Sequence, residues 1–245
     1  MPRNPDVHRK WVKDHPENIK AINHRNYENH KESRKADGKR YRKEHPESPE
    51  KSYERYIRNR TKLKFDVLSY YSPNGIRCAI CGELHLEFLG IDHIHGGGNQ
   101  HRKKHGGNIY RWLKNSGFPE GYRVLCHSCN QDVGHPVKNT RSARNTMKSK
   151  LVVFNHYCDG SLRCMCNGCN ESNIRHLCID HINGNGTQHR KEVGSHLYDW
   201  IIKNGFPDGF RVLCHNCNQS LGYSGYCPHN QPEKPSMRLS IGGVA

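Results

Sequence analysis

With 245 residues, only 33% of them hydrophobic and 9% aromatic, the chain has too little apolar material for one large core; small modules held by something else are expected. Thirty-nine Lys+Arg against twenty-three Asp+Glu leave a formal net charge of +16, so a polyanion, nucleic acid first, is the expected partner. No apolar run approaches the ~18–20 residues that span a bilayer and the N-terminus lacks a signal peptide's apolar stretch, which excludes a membrane partner and makes a reducing cytoplasm the expected compartment.

Residues 1–57 read as a basic helical repeat arm. KDHPE (13–17), ENHKE (28–32) and KEHPE (43–47) recur every 15 residues. Pro16 and Pro46 suit the first turn of a helix and not its middle, so short helices joined at the His-Pro steps are expected. Residues 1–64 hold nineteen Lys+Arg and ten Asp+Glu, more than half of the excess charge, which suits an arm lying along phosphates.

A large duplication begins at Arg58. Residues 58–78 align with 144–164 at an offset of 86; after a two-residue insertion, 78–131 align with 166–219 at an offset of 88, with 29 identities in 54 positions. The expected organisation is a first module (58–131), a basic linker (132–143, with Lys138 and Arg141), a second module (144–222) and a disordered tail (223–245). Each module opens with a helix, in the first with Phe65, Leu68 and Tyr71 on one face. There follow a cysteine turn, a strand through 87–94 or 175–182, a Gly-rich loop, and a short amphipathic helix ending at Gly117 or Gly205. A second strand, 122–126 or 210–214, leads into a final helix opened by the second cysteine pair. The fold class is therefore small α+β modules in tandem, preceded by the arm, and the cysteine pairs at their bases suit stabilisation by zinc.

Twelve cysteines in a reducing compartment, several as CxxC pairs, point to metal rather than to disulfides. Cys78, Cys81, Cys126 and Cys129 form two pairs able to take the corners of a tetrahedral Zn²⁺ site, and the second module repeats the pattern with Cys166, Cys169, Cys214 and Cys217. In the second module Cys164 and Cys166 both align with Cys78, by the upstream and downstream offsets respectively; the two-residue spacing favours Cys166. Cys158, Cys178 and Cys227 have no counterparts in the first module and read as free thiols. Asp92-His93 and Asp180-His181 end the first strands, and Asn130 and Asn218 follow the last cysteines. A carboxylate and an amide oxygen are hard donors suited to Mg²⁺ or Mn²⁺, and a histidine beside them can serve as general base. His95 (Asn183 in the second copy), His101, Arg102, His189 and Arg190 are candidate phosphate contacts. Trp112, Trp200, Tyr110 and Tyr198 read as core.

Asp-His on a first strand, a loop, a second strand and then Cys-x-x-Cys-Asn resembles the HNH (ββα-metal) nucleases, and among them the phage endonuclease VII-type recombination nucleases and zinc-binding phage or mobile-element HNH proteins. The resemblance covers 78–131 and 166–219. It implies that Asp92 with Asn130, and Asp180 with Asn218, hold a catalytic Mg²⁺ or Mn²⁺, that His93 and His181 activate water, and that the four thiols of each module hold one structural Zn²⁺. The expected activity is DNA cleavage, RNA remaining possible, by a monomer with two centres or by a homodimer, in a host cell's cytoplasm if the gene is phage-borne. The alternative is a non-catalytic zinc-stabilised nucleic-acid-binding protein.

Overall fold

The structure, a computed structural model, describes residues 5–136, 139–194 and 196–230. Lys138 of the expected linker and residues 231–245 of the expected tail lie outside the described residues. The chain divides into two compact units, Met1–Arg58 and Asn59–Ala245.

The N-terminal segment is helical: α1 (Pro5–Asp14), α2 (Pro16–Glu44) and α3 (Pro49–Tyr71). The breaks fall at His15 and His45, each followed by proline, because a residue before proline is pushed out of helical backbone. Both breaks carry the same local device. His15 stacks on Trp11 at 4.9 Å and meets its carbonyl through Nδ1 at 2.9 Å; His45 stacks on Tyr41 at 4.3 Å and meets its carbonyl at 3.2 Å. The middle repeat, ENHKE, lacks a proline and runs unbroken inside α2.

After Tyr71 come a 3-10 turn (Leu86–Phe88), β1 (Leu89–His93), α4 (Gly98–His105), α5 (Ile109–Asn115), β2 (Tyr122–Cys126) and α6 (His127–Gly134). The same order returns as α7 (Arg141–Tyr157), β3 (Leu177–His181), α8 (Gly186–Val193), α9 (Leu197–Lys203), β4 (Phe210–Cys214) and α10 (His215–Ser224). The expected Gly-rich loop is thus a helix in both copies. Its glycines cluster at the ends, and the residues between (NQHRKK in the first) are ordinary helix formers. The first strand is shorter than expected, since Glu87 and Phe88 belong to the 3-10 turn.

Two two-stranded antiparallel sheets form, β1 with β2 and β3 with β4. Their registers correspond residue for residue: Asp92 faces Arg123 and His93 faces Tyr122, while Asp180 faces Arg211 and His181 faces Phe210. The helix before each sheet is tied to the turn before its second strand, Tyr71 donating to Pro119 O at 2.7 Å and Tyr157 to Pro207 O at 2.6 Å. One contiguous core joins both repeats, with Leu68, Phe88, Leu89 and Leu125 from the first and Phe154, Leu177, Ile201 and Leu213 from the second. Pooling small apolar sets into one core is what a chain this polar requires. Across the junction, Arg175 pairs with Asp132 and donates to His135 O at 3.0 Å, and Asn216 Oδ1 accepts from the Ser128 N–H at 2.9 Å.

The expectation of disorder from residue 223 is corrected up to Asn230. Tyr226 O accepts from Ser220 Oγ at 2.8 Å and Cys227 is buried, so the chain folds back after α10. Among the described residues no helix is long and apolar enough to cross a membrane.

Candidate metal centres and histidine clusters

Four thiols converge beneath each sheet. Cys78 and Cys81 sit on the turn before the strands, Cys126 ends β2, and Cys129 lies one turn into α6; their sulfurs lie within 4.8 Å of one another. The Cys81 and Cys126 sulfurs are 3.7 Å apart, and those of Cys169 and Cys214 are 3.9 Å apart. A tetrahedral Zn²⁺ with bonds of about 2.3 Å has sulfur–sulfur edges of about 3.8 Å, so the donor set and its spacing fit zinc. Cys126 and Cys214 also cap α6 and α10, each sulfur accepting the N–H of the residue three on at 3.4 Å. Thiolate charge at a helix N-terminus is favoured by the aligned peptide dipoles.

In the second repeat the fourth thiol is Cys164, not Cys166 as the two-residue spacing suggested. Cys164, Cys169, Cys214 and Cys217 form the group, all buried. The backbone explains the choice: Cys164 N–H bonds Glu171 O and Met165 N–H bonds Val212 O, as Cys78 N–H bonds Glu83 O and Ala79 N–H bonds Val124 O. The insertion therefore lies after Met165, inside the knuckle. Cys227, expected as a free thiol, lies in a further group with Cys166, Cys217 and His229. Cys178 and Cys158 stay outside these groups, their thiols donating to Leu213 O and Arg163 O.

Above each thiol group, successive residues of the first strand point to opposite faces. Asp92 and Asp180 lie on the face that meets the final helix. Asn218 of α10 donates through Nδ2 to Cys178 Sγ at 3.1 Å, and Cys178 shares its side of β3 with Asp180. In the first repeat glycine replaces that cysteine, and a Cβ at Gly90 would stand 3.6 Å from the His127 ring of α6, the helix carrying Asn130. Each carboxylate is already engaged: Arg123 Nε donates to Asp92 at 2.8 Å and Arg211 Nε to Asp180 at 2.7 Å. These two arginines were not among the expected site residues. Their only trace in the sequence is a position directly across the ribbon from the aspartates.

The opposite face carries the imidazoles. His93 lies 5.0 Å from the His101 ring and 4.8 Å from Tyr122, and His101 packs edge-on against Trp112 at 4.3 Å. His181 Nε2 meets His189 Nδ1 at 2.8 Å, and His189 packs on Trp200 at 4.3 Å. Burial, followed by the neighbouring imidazole, pulls the His93 and His181 pKa values below the usual histidine value, so both rings are neutral near pH 7. Among the described residues three imidazole nitrogens are buried without a protein partner: His93 Nε2, His101 Nε2 and His189 Nε2. Gly98 and Gly186 explain how the following helix comes so close, since a Cβ at those positions would stand 3.3 and 2.9 Å from Nδ1 of His93 and His181.

Of the expected phosphate contacts, His101 and His189 join these clusters, whereas His95, Arg102 and Arg190 are exposed beside them. A pocket of about 410 Å³ opens beside His189, lined by Glu192, His196, Asp199 and Trp200 among others. At the corresponding places the first repeat has Lys104, Asn108, Arg111 and Trp112, so two acidic positions are basic there. A scan against protein-family models, a search of curated proteins and a search of solved structures each find no match.

Proposed function

We propose that the chain is a metal-dependent DNA endonuclease that hydrolyses phosphodiester bonds at two tandem HNH-type (ββα-metal) centres, each built on one structural Zn²⁺. What carries the reading is a two-sided ribbon met twice in the same register. In each, an aspartate and a neutral histidine stand side by side at the end of the first strand, and thiols suited to zinc lie at the base.

In this mechanism Asp92 with Asn130, and Asp180 with Asn218, would hold Mg²⁺ or Mn²⁺, which when bound would supply positive charge at the phosphate and the leaving oxygen. His93 takes the proton of the attacking water at Nε2, the nitrogen that lacks a protein partner. In the second repeat the same nitrogen faces His189 Nδ1, so His181 must open that contact to reach water. Arg123 and Arg211 hold the carboxylates in place. The basic N-terminal segment adds affinity for phosphates that does not depend on sequence.

The ion pairs Asp92–Arg123 and Asp180–Arg211 favour a second reading, a non-catalytic zinc-stabilised nucleic-acid binder in which the aspartates only brace the ribbon. Purified full-length protein incubated with supercoiled plasmid and Mg²⁺ or Mn²⁺ separates the two. Metal-dependent nicking that disappears in the double variant His93→Ala, His181→Ala establishes the nuclease. A plasmid shifted on a gel and left intact under every divalent ion establishes the binder.

A further inference from the structure

The second repeat contains more thiols than one zinc ion can use, and they are arranged around a shared sulfur. Cys166, Cys217, Cys227 and His229 have their ligand atoms within 4.8 Å of one another, and Cys217 also belongs to the four-thiol group with Cys164, Cys169 and Cys214. We propose that the second repeat holds a binuclear zinc cluster, with the Cys217 thiolate bridging one ion bound by Cys164, Cys169 and Cys214 and a second ion bound by Cys166, Cys227 and His229.

Three independent features of the chain converge there. The two-residue insertion that separates the repeats falls in the first knuckle and adds Cys166 as an extra thiol between Cys164 and Cys169. The segment after α10 turns back and brings Cys227 and His229 to the same place. His229 Nδ1 stands 3.3 Å from Cys217 Sγ and 3.8 Å from Cys227 Sγ. Bonds of about 2.3 Å to sulfur and about 2.0 Å to nitrogen in a tetrahedral site make that edge about 3.5 Å, between the two distances. Finally, the knuckle admits the returning segment only because residue 168 is glycine, since a Cβ there would lie 2.9 Å from His229 O.

Electrostatics favour the arrangement. A four-thiolate zinc site carries a net charge of about −2. A second Zn²⁺ arriving with two more thiolates and a neutral imidazole adds no net charge, and the bridging sulfur divides its charge between two cations. Without that ion, Cys166 and Cys227 could ionise only beside a site already at about −2, with no cation of their own.

The first repeat has no such provision. Its knuckle lacks the insertion, and no cysteine follows Cys129 before Cys158. The second ion also bears on how the repeats join. The segment it fastens places His229 at 5.0 Å from the Phe88 ring and hydrogen-bonds Tyr226 to Glu87, both in the 3-10 turn of the first repeat.

The proposal rests on the reading that the four-thiol groups hold zinc, and a zinc count on the full-length protein distinguishes the two. Native mass spectrometry with elemental analysis, after dialysis against trace zinc, should find three ions per chain. Two ions per chain overturn the binuclear cluster and leave the single sites standing; none overturns both. The double variant Cys227→Ser, His229→Ala should lose one ion of three, and retention of all three overturns the assignment of those ligands. Should that variant fail to fold, cadmium-113 NMR of the substituted wild-type protein gives the answer. Three resonances, two of them split by mutual coupling through the shared sulfur, are expected; the absence of coupling overturns the bridge.

Discussion

The side chain of Asn218 donates to the thiol of Cys178 at 3.1 Å, and this contact puts the residue after the last zinc-site thiol on the strand face of Asp180. A metal held by the four thiols would fix the start of α10 and the strand fixes Asp180, so the amide would be held between two rigid elements. Asn218→Ala is expected to leave the zinc content unchanged and to remove cleavage by the second centre. Loss of zinc in this variant would show that the amide serves the fold instead.

The two centres should differ in strength. Lys104 and Arg111 of the first repeat are replaced by Glu192 and Asp199, which line the pocket beside His189 and repel phosphate. His181 is also tied to His189, whereas His93 Nε2 is free of partners. His93→Ala is therefore expected to lower plasmid nicking by on the order of 100-fold or more, the usual contribution of a general base. His181→Ala should lower it much less. Equal losses, measured as initial nicking rates at one Mn²⁺ concentration, would contradict this ranking.

Gly186 tests the close approach of α8 to the imidazole. A methyl group there would stand 2.9 Å from His181 Nδ1, inside contact distance. Gly186→Ala should displace the ring and release the His181–His189 hydrogen bond, seen as a shift of the His181 imidazole resonances. Unchanged imidazole resonances would mean the helix yields instead. At Gly98 the gap is 3.3 Å, and the corresponding change should be milder.

The tyrosines that tie each leading helix to its sheet are measurable in isolation. Tyr157→Phe removes the hydrogen bond to Pro207 O and leaves that carbonyl half-buried, at a cost of about 1 kcal/mol. For a unit of this size that is a Tm lower by roughly 2–4 °C by calorimetry. Tyr71→Phe should match it, since Tyr71 meets Pro119 O in the same way. A large difference between the two would show that the helices are anchored by other means.

Cys178 lies outside the thiol groups, and burial pushes its pKa up to about 11. A raised thiol pKa keeps the proton on sulfur, so at pH 8 almost none of the reactive thiolate is present. Iodoacetamide under native conditions should leave Cys178 unmodified, and the same reagent in denaturant should label it fully. Rapid native labelling, followed by peptide mass spectrometry, would show that β3 opens readily.

Much of this was legible in the sequence because it is written in local spacing. Proline after histidine predicted the breaks at His15 and His45, and the strands read through 87–94 and at 122–126 appear as β1 and β2. The Gly-rich segment misled, because glycines at both ends of a short helix look the same as glycines in a loop. The tail misled for a related reason. Composition suggested disorder past residue 222, yet Cys227 and His229 are held by partners far away in the chain.

The sequence by itself determined the inventory: two copies of a strand ending in Asp-His, cysteine pairs at their bases, and an asparagine after the last thiol. Which of these residues meet was decided by the tertiary structure alone. Spacing favoured Cys166, because it keeps the two-residue interval to Cys169; the backbone hydrogen bonds of the knuckle chose Cys164 and left Cys166 to face Cys227 and His229. Spacing could not pair Asp92 with Arg123, 31 residues away, until the antiparallel register set them opposite each other. Ligand sets and ion pairs form where separate segments converge, and that convergence is a property of the packed chain rather than of neighbouring residues.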